Sequence, residues 1–126
     1  MHVLLIEPDA ILSRTYTAAL KASGHTVATT SSAQAAVHLA DEQVPDVVVL
    51  ELQLGRHNGV EFLYEFRSYS EWLHIPIIVQ TVVPPAELAL AATLRHELGV
   101  VEILHKPTTS LERLCAVVSR SVPIAI

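Results

Sequence analysis

Glycine is scarce in this chain, and so are most residue patterns that announce a particular chemistry. Among 126 residues there are four glycines, Gly24, Gly55, Gly59 and Gly99, and their spacing forms neither G-x-G-x-x-G nor G-x-x-x-x-G-K. A dinucleotide fingerprint and a P-loop are thereby excluded. A single cysteine, Cys115, permits no internal disulfide and no C-x-x-C pair, so nothing calls for an oxidising compartment. H-E-x-x-H and G-x-S-x-G are missing as well, which removes the common zinc-protease and hydrolase signatures. Positive charge is thin: eight Lys plus Arg against thirteen Asp plus Glu leave −5, which argues against holding nucleic acid or an anionic membrane by overall charge. No apolar run approaches the roughly 20 residues of a membrane span. The opening stretch from Met1 to Ile6 meets Glu7 too soon for a signal peptide. These absences leave a single cytoplasmic domain as the expectation.

What the chain does have is alternation. Five β-rich runs, His2–Ile6, His25–Thr29, Asp46–Leu50, Ile75–Gln80 and Val100–Leu104, are separated by stretches with helical periodicity. The first, third and fourth are almost continuously apolar, as strands covered on both faces are. Glu102 in the last run suits an edge strand. Between the runs, Tyr16 and Leu20 mark a first helix stopped by Gly24, and Ser31 or Ser32 can cap a second. Asn58 can cap a third helix with Phe62, Leu63 and Phe66 inward. Pro84 and Pro85 open a fourth that runs through Leu88, Leu94 and Leu98 to Gly99, and Thr109-x-x-Glu112 reads as a capping box for a fifth. Strict alternation predicts an α/β fold, a (βα)5 flavodoxin-like, doubly wound five-stranded parallel sheet with strand order 2-1-3-4-5.

Open sheets of this kind bind at the carboxyl ends of their strands, where the order reverses. Glu7, Pro8 and Asp9 follow the first strand, Glu51 the third, Thr81 the fourth, and His105, Lys106 and Pro107 the fifth. Asp9 alone can be read as a helix cap. The remaining acids, the hydroxyl and one of only two lysines on the same edge ask for a shared role. Elsewhere the seven histidines are scattered, without ligand spacing, and Cys115 and Trp72 read as packing residues.

Taken together, Val3–Glu7, Pro45–Leu54 with Asn58-Gly59, and Leu104–Pro107 resemble the receiver domain of two-component response regulators over nearly the whole chain. The resemblance implies a receiver-like domain at 1–120 with a C-terminal tail at 121–126. It implies Glu51 at the phosphoacceptor position and Glu7 and Asp9 as the acidic pocket. Thr81 and Lys106 fall at the switch and phosphate-contact positions, and the bond before Pro107 is a candidate for cis. It also implies protein partners, a histidine kinase or an output protein, and a homodimer through the face of the fourth helix, fifth strand and fifth helix.

The departures from the family pattern set the functional expectation. The acceptor is Glu rather than Asp, Pro8 replaces a metal-binding acid, and Ile103 replaces an aromatic residue. Phosphoryl transfer depends on positioning and charge neutralisation, and a misplacement of about 1 Å can cost on the order of 100-fold in rate. The expectation is therefore a non-enzymatic, phosphorylation-independent receiver without a cofactor. In it Glu51, paired to Lys106 and hydrogen-bonded by Thr81, acts as a built-in phosphate mimic. Only weak Mg²⁺ binding is expected, with Glu7, Glu51 and the Gln53 carbonyl as residual ligands. The rival readings are a working phosphoacceptor with a pocket remodelled around Asp9, and a flavodoxin-like binder of a small ligand or nucleotide.

Overall fold

A computed structural model describes residues 1–55 and 57–121, with His57 and Pro85 described by backbone only. Five parallel strands, β1 (His2–Ile6), β2 (Thr26–Thr30), β3 (Val47–Leu50), β4 (Ile77–Thr81) and β5 (Val100–His105), lie in the order 2-1-3-4-5. The helices are α1 (Ala10–Ala22), α2 (Ala33–Glu42), α3 (Gly59–Arg67), α4 (Ala91–His96) and α5 (Leu111–Ser121). A two-residue antiparallel ribbon, Gln53–Leu54 with His57–Asn58, joins β3 to α3.

The period of two along each strand sorts the core into two layers. Leu4, Ile6, Val48, Leu50, Ile77 and Val79 face one way and bury Ala36, Phe62, Phe66 and Leu94. Val3, Leu5, Val47, Val49, Ile78 and Leu104 face the other way, against Tyr16, Leu20, Leu114 and Val118. Because both faces are covered, Val3–Ile6 of β1, Val47–Leu50 of β3 and Ile77–Val79 of β4 carry no polar residue, and buried polar side chains enter β4 only at its end, with Gln80 and Thr81.

Strand ends differ from the sequence expectation by one or two residues. Asp46 stays outside β3 because its carboxylate accepts the backbone N–H of His2 at 2.6 Å. Ile75 is buried but precedes Pro76, so β4 starts only at Ile77. The fourth helix departs most. Pro85–Glu87 forms a single 3-10 turn, and α4 begins only at Ala91, after Leu90, which supplies no capping side chain. Leu88 packs onto the core instead of continuing a helix. At α5 the helix start is one residue later than the capping box implied. The Ser110 hydroxyl accepts from Arg113 N–H, while the Thr109 hydroxyl donates to the His105 carbonyl. Ser121 closes α5, and the rest of the tail, 122–126, lies outside the described residues.

At its outer edge β5 is irregular. The register steps from Ile77 opposite Val100 to Ile78 opposite Glu102, so Val101 is an extra residue and stands exposed. On the opposite edge, β2 presents the exposed Thr26 and Thr29.

One glycine is required by a close approach. A Cβ on Gly59 would stand 2.9 Å from the Glu51 carbonyl oxygen and 3.0 Å from Leu52 Cα, both backbone atoms. The Gly59 N–H also donates to the Leu52 carbonyl at 2.7 Å, so α3 is pinned against the end of β3. Gly59→Ala is expected to cost about 1–3 kcal/mol, because neither neighbour can yield without moving the backbone that carries Glu51. Urea unfolding checks this, and an unchanged midpoint would contradict the close contact.

Candidate functional site

The carboxyl ends of β1, β3 and β5 bring three charged side chains together. Lys106 Nζ lies 2.6 Å from Glu7 Oε1 and 2.9 Å from Glu51 Oε1. All three are buried, with side-chain exposures of 8% for Lys106 and 3% for each glutamate, so solvent screens little of the attraction. Backbone donors complete the cage. Glu51 accepts from Val82 N–H and Gln53 N–H, both at 3.3 Å, and Glu7 accepts from Asp9 N–H at 3.0 Å. Burial by itself would lower the Lys106 ammonium, but hydrogen bonds to Glu7 and Glu51, and their charges, outweigh it and raise it above the ordinary lysine range. Tyr16, on α1, senses the same charges. Burial raises its phenol, Lys106 opposes, and Glu7, Glu51 and Asp9 add to the rise.

An acidic pair of strand ends facing a lysine, on a sheet of order 2-1-3-4-5, is matched by comparison with known sequences. The family described as the response regulator receiver domain matches residues 3–119. The chain belongs to that family. This receiver domain is 34% identical over 107 residues to the alginate biosynthesis transcriptional regulatory protein AlgB of Pseudomonas aeruginosa, covering 84% of this chain and 22% of that protein. It is 30% identical over 115 residues to protein-glutamate methylesterase/protein-glutamine glutaminase 2 of Oleidesulfovibrio alaskensis, 90% of this chain and 31% of that one. The chain thus spans less than a third of either relative. Among solved structures, the Vibrio cholerae chemotaxis protein CheY4 superposes with a TM-score of 0.84 at 21% identity, covering 96% of this chain and 98% of that one, which establishes the shared fold. The receiver domain is accordingly a module of two-component signalling. No helix among its described residues is long and apolar enough to cross a membrane.

Within the receiver site, three expectations need correction. Asp9 does not join the acidic pocket. It is exposed, and its Oδ1 accepts from Ile11 and Leu12 N–H at 2.9 Å as the N-cap of α1, which satisfies two of the orphan donors of that helix. The Thr81 hydroxyl, fully buried, accepts from Val83 N–H at 3.3 Å and makes no bond to Glu51. Its place beside Glu51 is taken by the Val82 backbone N–H. The bond before Pro107 is trans, as every peptide bond among the described residues is. Pro107 sits inside the 3-10 turn Lys106–Thr108, where its fixed φ is already suitable and the usual trans preference of about 0.5–1 kcal/mol stands unopposed.

Other expected positions fall as follows. Gln53 lies on the ribbon beside Glu51, in contact through its N–H. Ile103 is buried in the core layer of α2 to α4. His105 Nε2 is 3.2 Å from the Val82 carbonyl, tying β5 to the loop after β4. Two features were missed. One is the double engagement of Lys106, with Glu7 as its nearer partner. The other is the set of backbone donors around Glu51, which belong to turns and carry no side-chain signal.

Proposed function

We propose that this receiver domain signals independently of phosphorylation, with Glu51 as a built-in stand-in for a phosphorylated acceptor and Lys106 as the fixed counter-charge. The observation that carries the reading is the position of Lys106 Nζ, within 2.9 Å of Glu51 and 2.6 Å of Glu7. In this reading the longer glutamate projects its carboxylate outward to where a phosphoryl oxygen would accept the lysine. The Val82 N–H holds the loop after β4 onto the same oxygen. A permanent ion pair of this kind replaces a reversible covalent one.

The family's divalent cation does not fit these residues. Mg²⁺ requires near-octahedral oxygen ligands at about 2.0–2.1 Å. Here the ammonium takes up the gap between the two carboxylates, and Pro8 offers no side-chain oxygen. With Asp9 committed to its helix cap, the remodelled-acceptor alternative has no free acid to use. The domain then acts through protein contacts rather than catalysis, with a histidine kinase, an output protein or a second copy as partner. Leu90, Val101 and Leu111 stand exposed on the α4–β5–α5 side where such contacts are proposed.

Acetyl phosphate with Mg²⁺, followed by intact mass measurement, tests this. The natural sequence is expected to gain no phosphoryl group, and Pro8→Asp/Glu51→Asp is expected to gain one. Mg²⁺-dependent labelling of the natural sequence, mapped to this pocket, would overturn the reading.

A further inference from the structure

We propose that the groove between α2 and the turn following α3 is a docking site for a basic segment of a partner protein, with one arginine side chain of that segment seated in it. The groove shares no residue with the Glu7–Glu51–Lys106 site. Its enclosed part is a cavity of about 230 Å³ lined by Val37, His38, Asp41, Tyr69, Glu71 and Trp72. Past His38 and Tyr69 it widens into a second depression that reaches Glu65.

Charge is the first observation. Asp41, Glu65 and Glu71 line the two cavities, and no lysine or arginine does. Among the described residues the carboxylates of Asp41 and Glu65 have neither a hydrogen bond nor an ion pair, and Glu71 meets only the Ser70 hydroxyl at 3.5 Å. On a chain of net charge −5, three uncompensated carboxylates in one groove are a large share of the total.

The aromatic stack is the second observation. Phe66, Trp72 and Tyr69 pack in series, with ring centroids 4.9 Å and 4.8 Å apart. Trp72 is only 4% exposed, whereas Tyr69, which lines both cavities, is 37% exposed. The Trp72 indole N–H has no acceptor among the described residues and is not one of their fully buried polar atoms, so it is open to an acceptor from outside the chain, water included.

These features select one kind of occupant. A cavity of about 230 Å³ admits a single long side chain, not a helix. A guanidinium is planar, so it can lie against an aromatic ring while its edges bond carboxylates in pairs, which an ammonium cannot do. The backbone of the same segment can offer a carbonyl to the Trp72 indole N–H in place of water. An acidic segment or a nucleic acid would be repelled.

Trp72 is the only tryptophan, so its fluorescence reports on the groove directly. The experiment titrates the full chain with hexa-arginine peptide at physiological salt, with hexa-lysine and hexa-glutamate as comparisons. A saturable emission change with hexa-arginine is expected, at least tenfold weaker in Asp41→Asn/Glu71→Gln and in hexa-lysine, and absent with hexa-glutamate. Tyr69→Leu, which keeps the charges, is expected to weaken it several-fold, and unfolding midpoints would confirm that each variant is folded. No emission change, or equal binding by the Asn/Gln variant or by hexa-lysine, overturns the proposal. Concentration-dependent self-association that the Asn/Gln variant abolishes would assign the groove to a second copy, and would also overturn it.

Discussion

Lys106→Met is expected to destabilise the domain by about 3–5 kcal/mol, the usual cost of removing one partner from a buried ion pair. The loss is large because two carboxylates, each 3% exposed, would be left facing each other without a cation. Against a total stability of roughly 5–15 kcal/mol for a domain, the variant would be close to unfolding. It is expected to regain stability as pH falls into the carboxylate range, since protonating either glutamate relieves the repulsion. Lys106→Met/Glu51→Gln is expected to recover much of the loss, because one surplus charge is gone. The unsubstituted protein behaves in the opposite sense at alkaline pH. Its Lys106 is raised in the folded state, so the contribution of the ion pair is fully present below the ordinary lysine value of 10.5 and disappears as pH climbs through the raised value. Urea midpoints across pH measure all of this. If the two substitutions are strictly additive at every pH, Glu51 and Lys106 do not interact and the phosphate-mimic reading has to be abandoned.

Arg67→Met is expected to cost about 3–4 kcal/mol, by leaving buried carbonyls unpaired rather than by breaking an ion pair. At the end of α3 the guanidinium donates to the carbonyls of Leu98 (2.9 Å), Trp72 (2.8 Å), Leu73 (3.2 Å), Ile75 (2.8 Å) and Gly99 (3.3 Å). It also lies 5.8 Å from the centre of the Phe66 ring. One side chain therefore fastens the segment before β4 to the one before β5, two loops that share no ladder. Arg67→Lys is expected to recover less than half of the loss, because three donors on one nitrogen cannot span that fork of acceptors. A full rescue by lysine, measured by the same unfolding, would show that charge rather than geometry matters there.

The Arg67 clamp illustrates what the sequence left hidden. All its acceptors are main-chain carbonyls, whose positions depend on loop paths, and no residue type signals them. The sheet was readable because burial on both faces leaves runs such as Val47–Leu50 with no polar position at all. The edge location of Glu7, Glu51 and Lys106 followed from strand order, since residues after parallel strands must share one edge. Direction within that edge did not follow. Thr81 was read as following the fourth strand and is the last residue of β4, but its hydroxyl turned to a local N–H two residues on. Asp9 had two outlets, pocket or cap, and the unpaired donors of α1 were nearer. The break before α4 was also unreadable from periodicity. Leu88, Ala91, Leu94 and Leu98 follow one another in steps of three or four and pack on one core layer, although the chain between Leu88 and Ala91 is not helical.

The two open flanks of the sheet bear on how this protein behaves when crowded. An exposed, regular, apolar edge invites strands from neighbouring molecules and is a common start for aggregation. Here one flank exposes Thr26 and Thr29, and the other carries the extra residue Val101 with Glu102 beside it, paired to Arg120 at 4.0 Å. A foreign strand aligned with β5 would lose its hydrogen-bond register at the bulge and bring its backbone against a charge. The two flanks therefore disfavour the strand-to-strand growth by which a regular edge runs on into fibres.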